Sequence, residues 1–290
     1  MRLEEWFEDR VLFHLVGYLV HERVSLGELR QLSQSLTKSS FDQALRRKIF
    51  EVAISANAPA QLTTETARSL VQARLEQLEY GGSAASRRDI LSMLLLFNVA
   101  TLVENPASNI RFQFDSFKKQ EWNIEHVRSI ASEPPLAHAE RQAWLRLCLD
   151  HLDPTQAETP ALRADIEAYL GRPKPIYDLE FPPLYERVLK QFGEASDSGA
   201  IHGIANLALL DAATNKSYKN APFAVKRKRL LALDQAGTFV PLCTRNVFLK
   251  CYSAKVDTVM FWSEDDQSAY QDAIVRTLVA FFTSTTKGET

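Results

Sequence analysis

Across residues 3 to about 105 apolar side chains return at the spacing of a helix face, and the pattern breaks at Asn105-Pro106. Leu12, Leu15, Val16, Leu19 and Val20 mark one such face, and Ala44, Ile49, Val52 and Ala53 a looser one. A helix brings side chains back to one face every three or four residues and a strand every second one, so this stretch is predicted to be a helical array. Thr63-Thr64-Glu65-Thr66 reads as a helix start, because a Thr oxygen can accept from the orphan N–H groups of a first turn. Gly81-Gly82-Ser83 reads as a break, and residues 85–104 are expected to form one more helix. The sequence shows no fixed-period repeat.

Beyond Asn105-Pro106 the periodicity changes. Arg111-Phe-Gln-Phe114 alternates as a short strand does, and Glu121-Trp-Asn-Ile-Glu-His126 reads as a second strand. Pro134-Pro135 opens another helical stretch, with helices expected over 139–151, 160–170 and 183–192. Residues 193–203 form a Gly- and Ser-containing approach to Ile204-Ala-Asn-Leu207. A further segment is expected over 247–251, and Ser263-Glu-Asp-Asp266 caps a last helix running to about Phe282. The polar tail from Thr283 to Thr290 is expected to fray.

A chain of 290 residues can bury a sizeable core and divide into two domains. Its 46% hydrophobic and 24% charged residues are those of a soluble globular protein. The longest apolar runs, such as Leu91 to Phe97, are too short to span a bilayer, and the start lacks the pattern of a signal peptide. Cys148, Cys243 and Cys251 form neither a CxxC pair nor an even set, which fits inert thiols in a reducing compartment. A soluble, cytoplasmic protein with no membrane association is expected. The net charge of −2 gives no global attraction for a polyanion, so any such site has to come from local clustering.

That clustering exists. Residues 212–233 contain no Asp or Glu but hold Lys216, Lys219, Lys226, Arg227, Lys228 and Arg229. A solvated helix face is the ordinary explanation of a charge run. The lack of compensating acids, in a chain with slightly more acids than bases, points instead to phosphate contact. Upstream, Glu125-His126 closes the strand-like run. A neutral His with a pKa near about 6.5 is a natural base for activating water, and a neighbouring carboxylate can hold a divalent cation. The alternative is a strand-end Glu and a His that caps local backbone groups. Asn206 lies in an apolar run, where its amide can tie together the loop that presents the base, or simply occupy a turn. Asn215 can coordinate a hard cation through its carbonyl oxygen or cap the following helix. One carboxylate, one amide and several waters suit Mg²⁺.

Glu125-His126-Val127, Asn206-Leu-Ala-Leu-Leu210 and Asn215-Lys-Ser-Tyr-Lys-Asn220-Ala-Pro-Phe223 together resemble the HNH (ββα-metal) domain of GmrSD-type, modification-dependent restriction proteins. Those proteins look like a Trp-x-x-Glu-His strand, a Gly-Asn-Leu-x-Leu-Leu turn and an Asn-x-x-Tyr-x-Asn-x-x-Phe-x-x-Lys-Arg helix, and Lys226-Arg227 matches the closing pair. The nine-residue step from Asn206 to Asn215 is also similar to the HNH domain of the RNA-guided CRISPR nucleases. Phe13-His-Leu-Val-Gly-Tyr-Leu19 resembles the middle helical region of the GmrSD-type proteins, whose N-terminal ParB-like domain has no counterpart in this sequence. The chain differs in having Glu125 where many HNH sites have Asp, Ala205 where Gly precedes the Asn, and about 80 residues between His126 and Asn206.

The resemblance implies an α+β, mostly α protein with a helical domain over 1–108 and an HNH domain over 109–290. The latter would carry a helical insertion over about 133–196 and a C-terminal helix over about 263–282. It implies a Mg²⁺- or Mn²⁺-dependent DNA endonuclease or nickase of a bacterial restriction or anti-phage system. In that assignment Glu125 and Asn215 hold the cation, His126 activates water, Asn206 braces the base loop and Asn220 supports the site. Lys216, Lys219 and Lys226 to Arg229 grip the phosphates, and a ParB-like NTPase or sensor is an expected partner domain or subunit. The rival expectation is an HNH-like DNA- or protein-binding module that no longer cuts.

Overall fold

The computed structural model describes residues 3–119, 121–129, 134–173, 178–192, 194, 202–212, 214, 221–253 and 261–284. The first helices are α1 (Leu3–Glu8), α2 (Arg10–His21), α3 (Leu26–Ser33), α4 (Lys38–Ala53), α5 (Thr64–Glu76), α6 (Ala84–Val103) and α7 (Phe114–Lys119). Strand β1 (Trp122–His126) follows, then α8 (His138–Leu149), α9 (Thr159–Leu170) and α10 (Phe181–Gln191). A 3-10 turn at Ile204–Asn206 leads into β2 (Leu207–Asp211), and the chain closes with α11 (Phe223–Gln235), α12 (Leu242–Phe248) and α13 (Glu264–Thr283). Among the described residues β1 and β2 make a two-stranded sheet in an otherwise helical chain, so the fold is α+β and mostly α.

The chain divides into two compact units. One takes in Met1–Ile124, Pro241–Cys243 and Gln271–Thr290, the other Glu125–Val240 and Thr244–Tyr270. This partition interleaves along the sequence.

In the first unit α2 packs against α4, α1 and α6. Asp9 caps α2 by accepting the Leu12 N–H at 2.8 Å, and Thr37, Thr63 and Ser83 cap α4, α5 and α6 in the same way. The helical registers differ from a simple apolar reading. On α2 the buried face is Leu12, His14, Leu15, Tyr18 and Leu19 while Val20 is exposed, and on α4 it is Phe41, Leu45, Ile49 and Ala53 while Val52 is exposed. The motif from Phe13 to Leu19 is a packing device. His14 donates through Nδ1 to the Arg10 carbonyl at 2.6 Å and accepts the Phe112 N–H on Nε2 at 2.9 Å. Tyr18 shares a 2.8 Å hydrogen bond with Ser92, and the Phe114 ring lies so close to Gly17 that a Cβ there would come within 2.8 Å of its Cδ2.

Arg111 to Phe114 is not a strand. Arg111 donates to the carbonyls of Phe7 and Glu8 at 2.5 Å, and Phe114 opens α7. Four alternating residues carry too little signal against such tertiary contacts. Likewise 247–251 is not a separate segment, since Val247 and Phe248 end α12. The last turns of α13 belong to the first unit, where Arg46 donates to the Phe281 carbonyl at 2.5 Å and stacks over its ring at 4.6 Å.

In the second unit α9 packs against α8 and α10, with Trp144, Tyr169, Phe181 and Tyr185 in ring contact. Strand β2 is apolar and buried from Leu207 to Leu210. Its carbonyls at Leu209 and Leu207 accept the hydroxyls of Thr244 at 2.6 Å and Tyr270 at 3.2 Å. Side chains thus satisfy backbone groups that a neighbouring strand would otherwise pair. Ser263 and Asp266 form the expected reciprocal cap of α13, at 2.8 Å and 3.2 Å. Helix α11 begins at Phe223 directly after Pro222, a residue suited to a helix start. None of the described helices is long and apolar enough to cross a membrane.

Candidate functional site

The end of β1 delivers Glu125 and His126, and the residues after it are held one by one. Lys226, from the first turn of α11, places its ammonium 2.7 Å from Glu125 Oε1 and donates to the His126 carbonyl at 2.6 Å. The Val127 N–H donates to the Asn206 carbonyl at 2.8 Å. The Asn206 side chain then takes both backbone groups of Arg128, accepting its N–H on Oδ1 at 2.8 Å and donating from Nδ2 to its carbonyl at 3.2 Å. Ser129 donates its N–H to Glu194 Oε2 at 3.2 Å and its hydroxyl to the Ala221 carbonyl. Glu194 also accepts the Phe223 N–H on Oε1 at 2.6 Å, at the start of α11, where the helix dipole favours a negative charge.

These groups are buried: Asn206 is 0% exposed, Glu194 and Lys226 1%, and Glu125 6%. Buried polar groups persist only when paired, and here the pairing fixes residues 125–129 to three other parts of the chain. Burial pushes the Glu125 carboxyl up, and the nearby Lys226 ammonium pulls it back without reversing the direction. Glu194 is raised by burial as well, opposed by the Phe223 and Ser129 hydrogen bonds and by Lys226. His126 is pushed down to about 3 by burial, by the Lys226 charge and by His202, whose ring lies 6.0 Å away edge-on. Its imidazole is therefore neutral at pH 7, and the same causes lower its basicity in this unliganded site.

The sequence-derived residues fall into three groups. Glu125, His126 and Asn206 are brought together. Asn215, Lys216, Lys219 and Asn220 lie outside the described residues. Of the basic run on α11, Lys228 and Arg229 are exposed and Arg227 is half-buried, but Lys226 is turned inward. Its expected place on the phosphate surface is corrected accordingly: paired with Glu125 and shielded from solvent, it cannot meet a phosphate without leaving that carboxylate. Glu194 had no sequence signal at all, since it stands in a Gly- and Ser-containing stretch that reads as a connector.

Hard cations take carboxylate and amide oxygens, and Glu125 offers one such donor. Its Oε1 is held by Lys226, however, and among the described residues no group of three or more His, Cys, Asp or Glu could hold a metal ion. As the side chains stand they do not fit a cation at Glu125.

No curated protein and no solved structure matches the chain. A family match begins after the Glu125-His126 pair and takes in Glu194, Asn206 and Lys226. Over residues 182–276 the chain is similar to the C-terminal domain of the GmrSD restriction endonucleases.

Proposed function

We propose that this protein is a restriction-type DNA endonuclease or nickase of the HNH kind, with His126 as the general base. The observation that carries the reading is the placing of a half-buried, neutral imidazole beside a loop that Asn206 and Glu194 hold in place. Hydrolysis forms a bond from a water oxygen to phosphorus and breaks the bond to the leaving deoxyribose oxygen, which takes a proton from solvent. His126 would accept the proton that the attacking water loses, and the negative charge of a bound phosphodiester would raise its basicity. Asn206 and Glu194 act by positioning, since neither faces solvent. Lys228 and Arg229 would contact the DNA backbone from the outer face of α11, with Arg227, Lys216 and Lys219 as further candidates and Asn220 as a support. The proposed cofactor is Mg²⁺ or Mn²⁺ with Glu125 and Asn215 as ligands, and its chemistry would be to neutralise charge on the scissile phosphate. A cytoplasmic setting and a ParB-like NTPase or sensor as partner belong to the same proposal.

The test is supercoiled plasmid incubated with the protein in Mg²⁺, in Mn²⁺ and in EDTA. Metal-dependent nicking or linearisation is expected, with loss of about 10²–10⁴-fold in His126→Ala. Cleavage by His126→Ala at the wild-type rate would remove the assignment of the base.

The Lys226–Glu125 pair favours a second reading, a DNA- or protein-binding module whose carboxylate is permanently neutralised. It predicts DNA binding that weakens steeply with salt and no metal-dependent product.

A further inference from the structure

A second imidazole stands beside the end of β1. His202 is exposed while His126 is half-buried, and the two rings meet edge-on, with 6.0 Å between centroids and 81° between planes. We propose that His202 is the general acid of the same reaction, handing to the leaving deoxyribose oxygen the proton that it draws from solvent. This rests on the assignment of His126 as the base in phosphodiester hydrolysis, and it requires no ligand at Glu125.

One frame presents both rings. The Gly203 carbonyl, next to His202, accepts the Asn206 N–H at 3.0 Å, and the Asn206 carbonyl accepts the N–H of Val127, next to His126, at 2.8 Å. Ile204 and Ala205, between them, are buried, and the Asn206 side chain closes the frame on the Arg128 backbone. The residue that holds the loop after His126 thus also fixes the turn after His202, so both side chains start from backbone positions set relative to each other. Hydrolysis moves two protons, one off the attacking water and one on to the leaving oxygen, and these oxygens lie on opposite sides of phosphorus. Two imidazoles held as neighbours can serve both.

Environment separates the roles. Burial disfavours a positive charge and solvent favours it, and two imidazolium charges side by side repel. The proton of such a pair is therefore carried on the exposed ring. The neighbouring carboxyls cannot do the same work: Glu125 lies against Lys226, Glu194 accepts from Ser129 and Phe223, and both are buried. An ammonium or guanidinium such as Lys228 or Arg229 holds its proton too tightly for efficient transfer near neutral pH. In each turnover an N–H bond of the His202 imidazolium breaks as the leaving oxygen parts from phosphorus and takes the proton. The neutral His202 ring then regains a proton from solvent, and His126 releases to solvent the one it took from the attacking water. One water is consumed and one phosphodiester is cleaved, with no oxidant or reductant.

The test uses the full chain under the conditions that support nicking, on an ordinary DNA duplex and on one whose leaving oxygen, at a cleavage position mapped on the first, is replaced by a bridging sulfur. A thiol is far more acidic than an alcohol, with a pKa of about 8.5, so a thiolate leaves without being handed a proton. His202→Ala and His202→Gln are expected to lose about 10²–10⁴-fold on the oxygen substrate and to regain most of that loss on the sulfur one, whereas His126→Ala stays slow on both. His202 is exposed, so neither change removes a core contact, and should the Ala variant fail to fold the Gln variant decides. Wild-type rates in the His202 variants, or a loss that sulfur does not restore, overturn the acid while leaving the nuclease and its base intact. No cleavage of the ordinary duplex by wild type overturns the acid together with the proposed function.

Discussion

Three side chains decide how residues 125–129 are held, and each can be removed separately. Asn206→Ala removes the two hydrogen bonds that its side chain makes to the Arg128 backbone, and losing the partner of a buried polar group costs about 1–3 kcal/mol. A clear drop in the urea midpoint is expected, together with loss of any activity that depends on His126. A wild-type midpoint would show that the Arg128 backbone finds other partners. His14 is a fully buried histidine whose behaviour follows from its contacts. Burial pushes it down to about 4, outweighing the opposing hydrogen bond to Arg10, and protonating Nε2 would break the bond from Phe112. Above pH 6.5 His14 is neutral both folded and unfolded, so it adds no pH dependence there. Below 6.5 the unfolded chain binds a proton that folded His14 refuses, so stability falls as the pH drops towards about 4. His126 acts in the same direction, which makes the comparison differential: denaturation of wild type and His14→Gln at several pH values should show a shallower decline in the variant between 6.5 and 4. Parallel curves would mean that His14 titrates normally.

At the scale of elements, α2 and α11 show how a helix is fitted to its neighbours. Gly17 lies mid-helix, where Ala is preferred by up to about 1 kcal/mol, yet the Phe114 ring occupies the space a Cβ would need. Gly17→Ala is therefore expected to destabilise by about 1 kcal/mol net, overpacking exceeding propensity. In a Phe114→Ala background the same change should stabilise, and a double-mutant cycle by thermal denaturation reads the reversal of sign. On α11 the four consecutive basic residues do not share a role. Replacing Lys228 or Arg229 with Gln should shrink the salt dependence of DNA binding by about one unit of log–log slope each. Lys226→Gln should instead lower stability, because it leaves Glu125 buried without its counterion. If Lys226→Gln altered only the salt slope, the buried pair would not be the resting arrangement. Capping and helix location were legible in the sequence, as Thr63 and Ser263 show, because these depend on residues three or four positions apart. The inward face of α11 was not, because nothing local distinguishes Lys226 from Lys228.

For the whole molecule, the interleaved units make the chain ends interdependent. The first unit needs residues 271–283 as well as 1–124, with Ile274, Leu278 and Phe281 fully buried. Deleting residues 1–105 would strip those side chains of α1 to α6 and leave them to water. Aggregation is expected on gel filtration, and a soluble monomer retaining wild-type cleavage would contradict this division. The sequence by itself determined the helical character, most helix starts, the strand ending in Glu125-His126 and the wording that resembles a GmrSD-type domain. All of these are written in neighbouring residues. Tertiary structure alone decided that Lys226 pairs with a carboxylate about a hundred positions away, that Glu194 ties Ser129 to α11, and that both chain ends build one unit. Burying a charge is favourable only where a distant partner meets it, so its place follows from the packing of the chain and not from its local order.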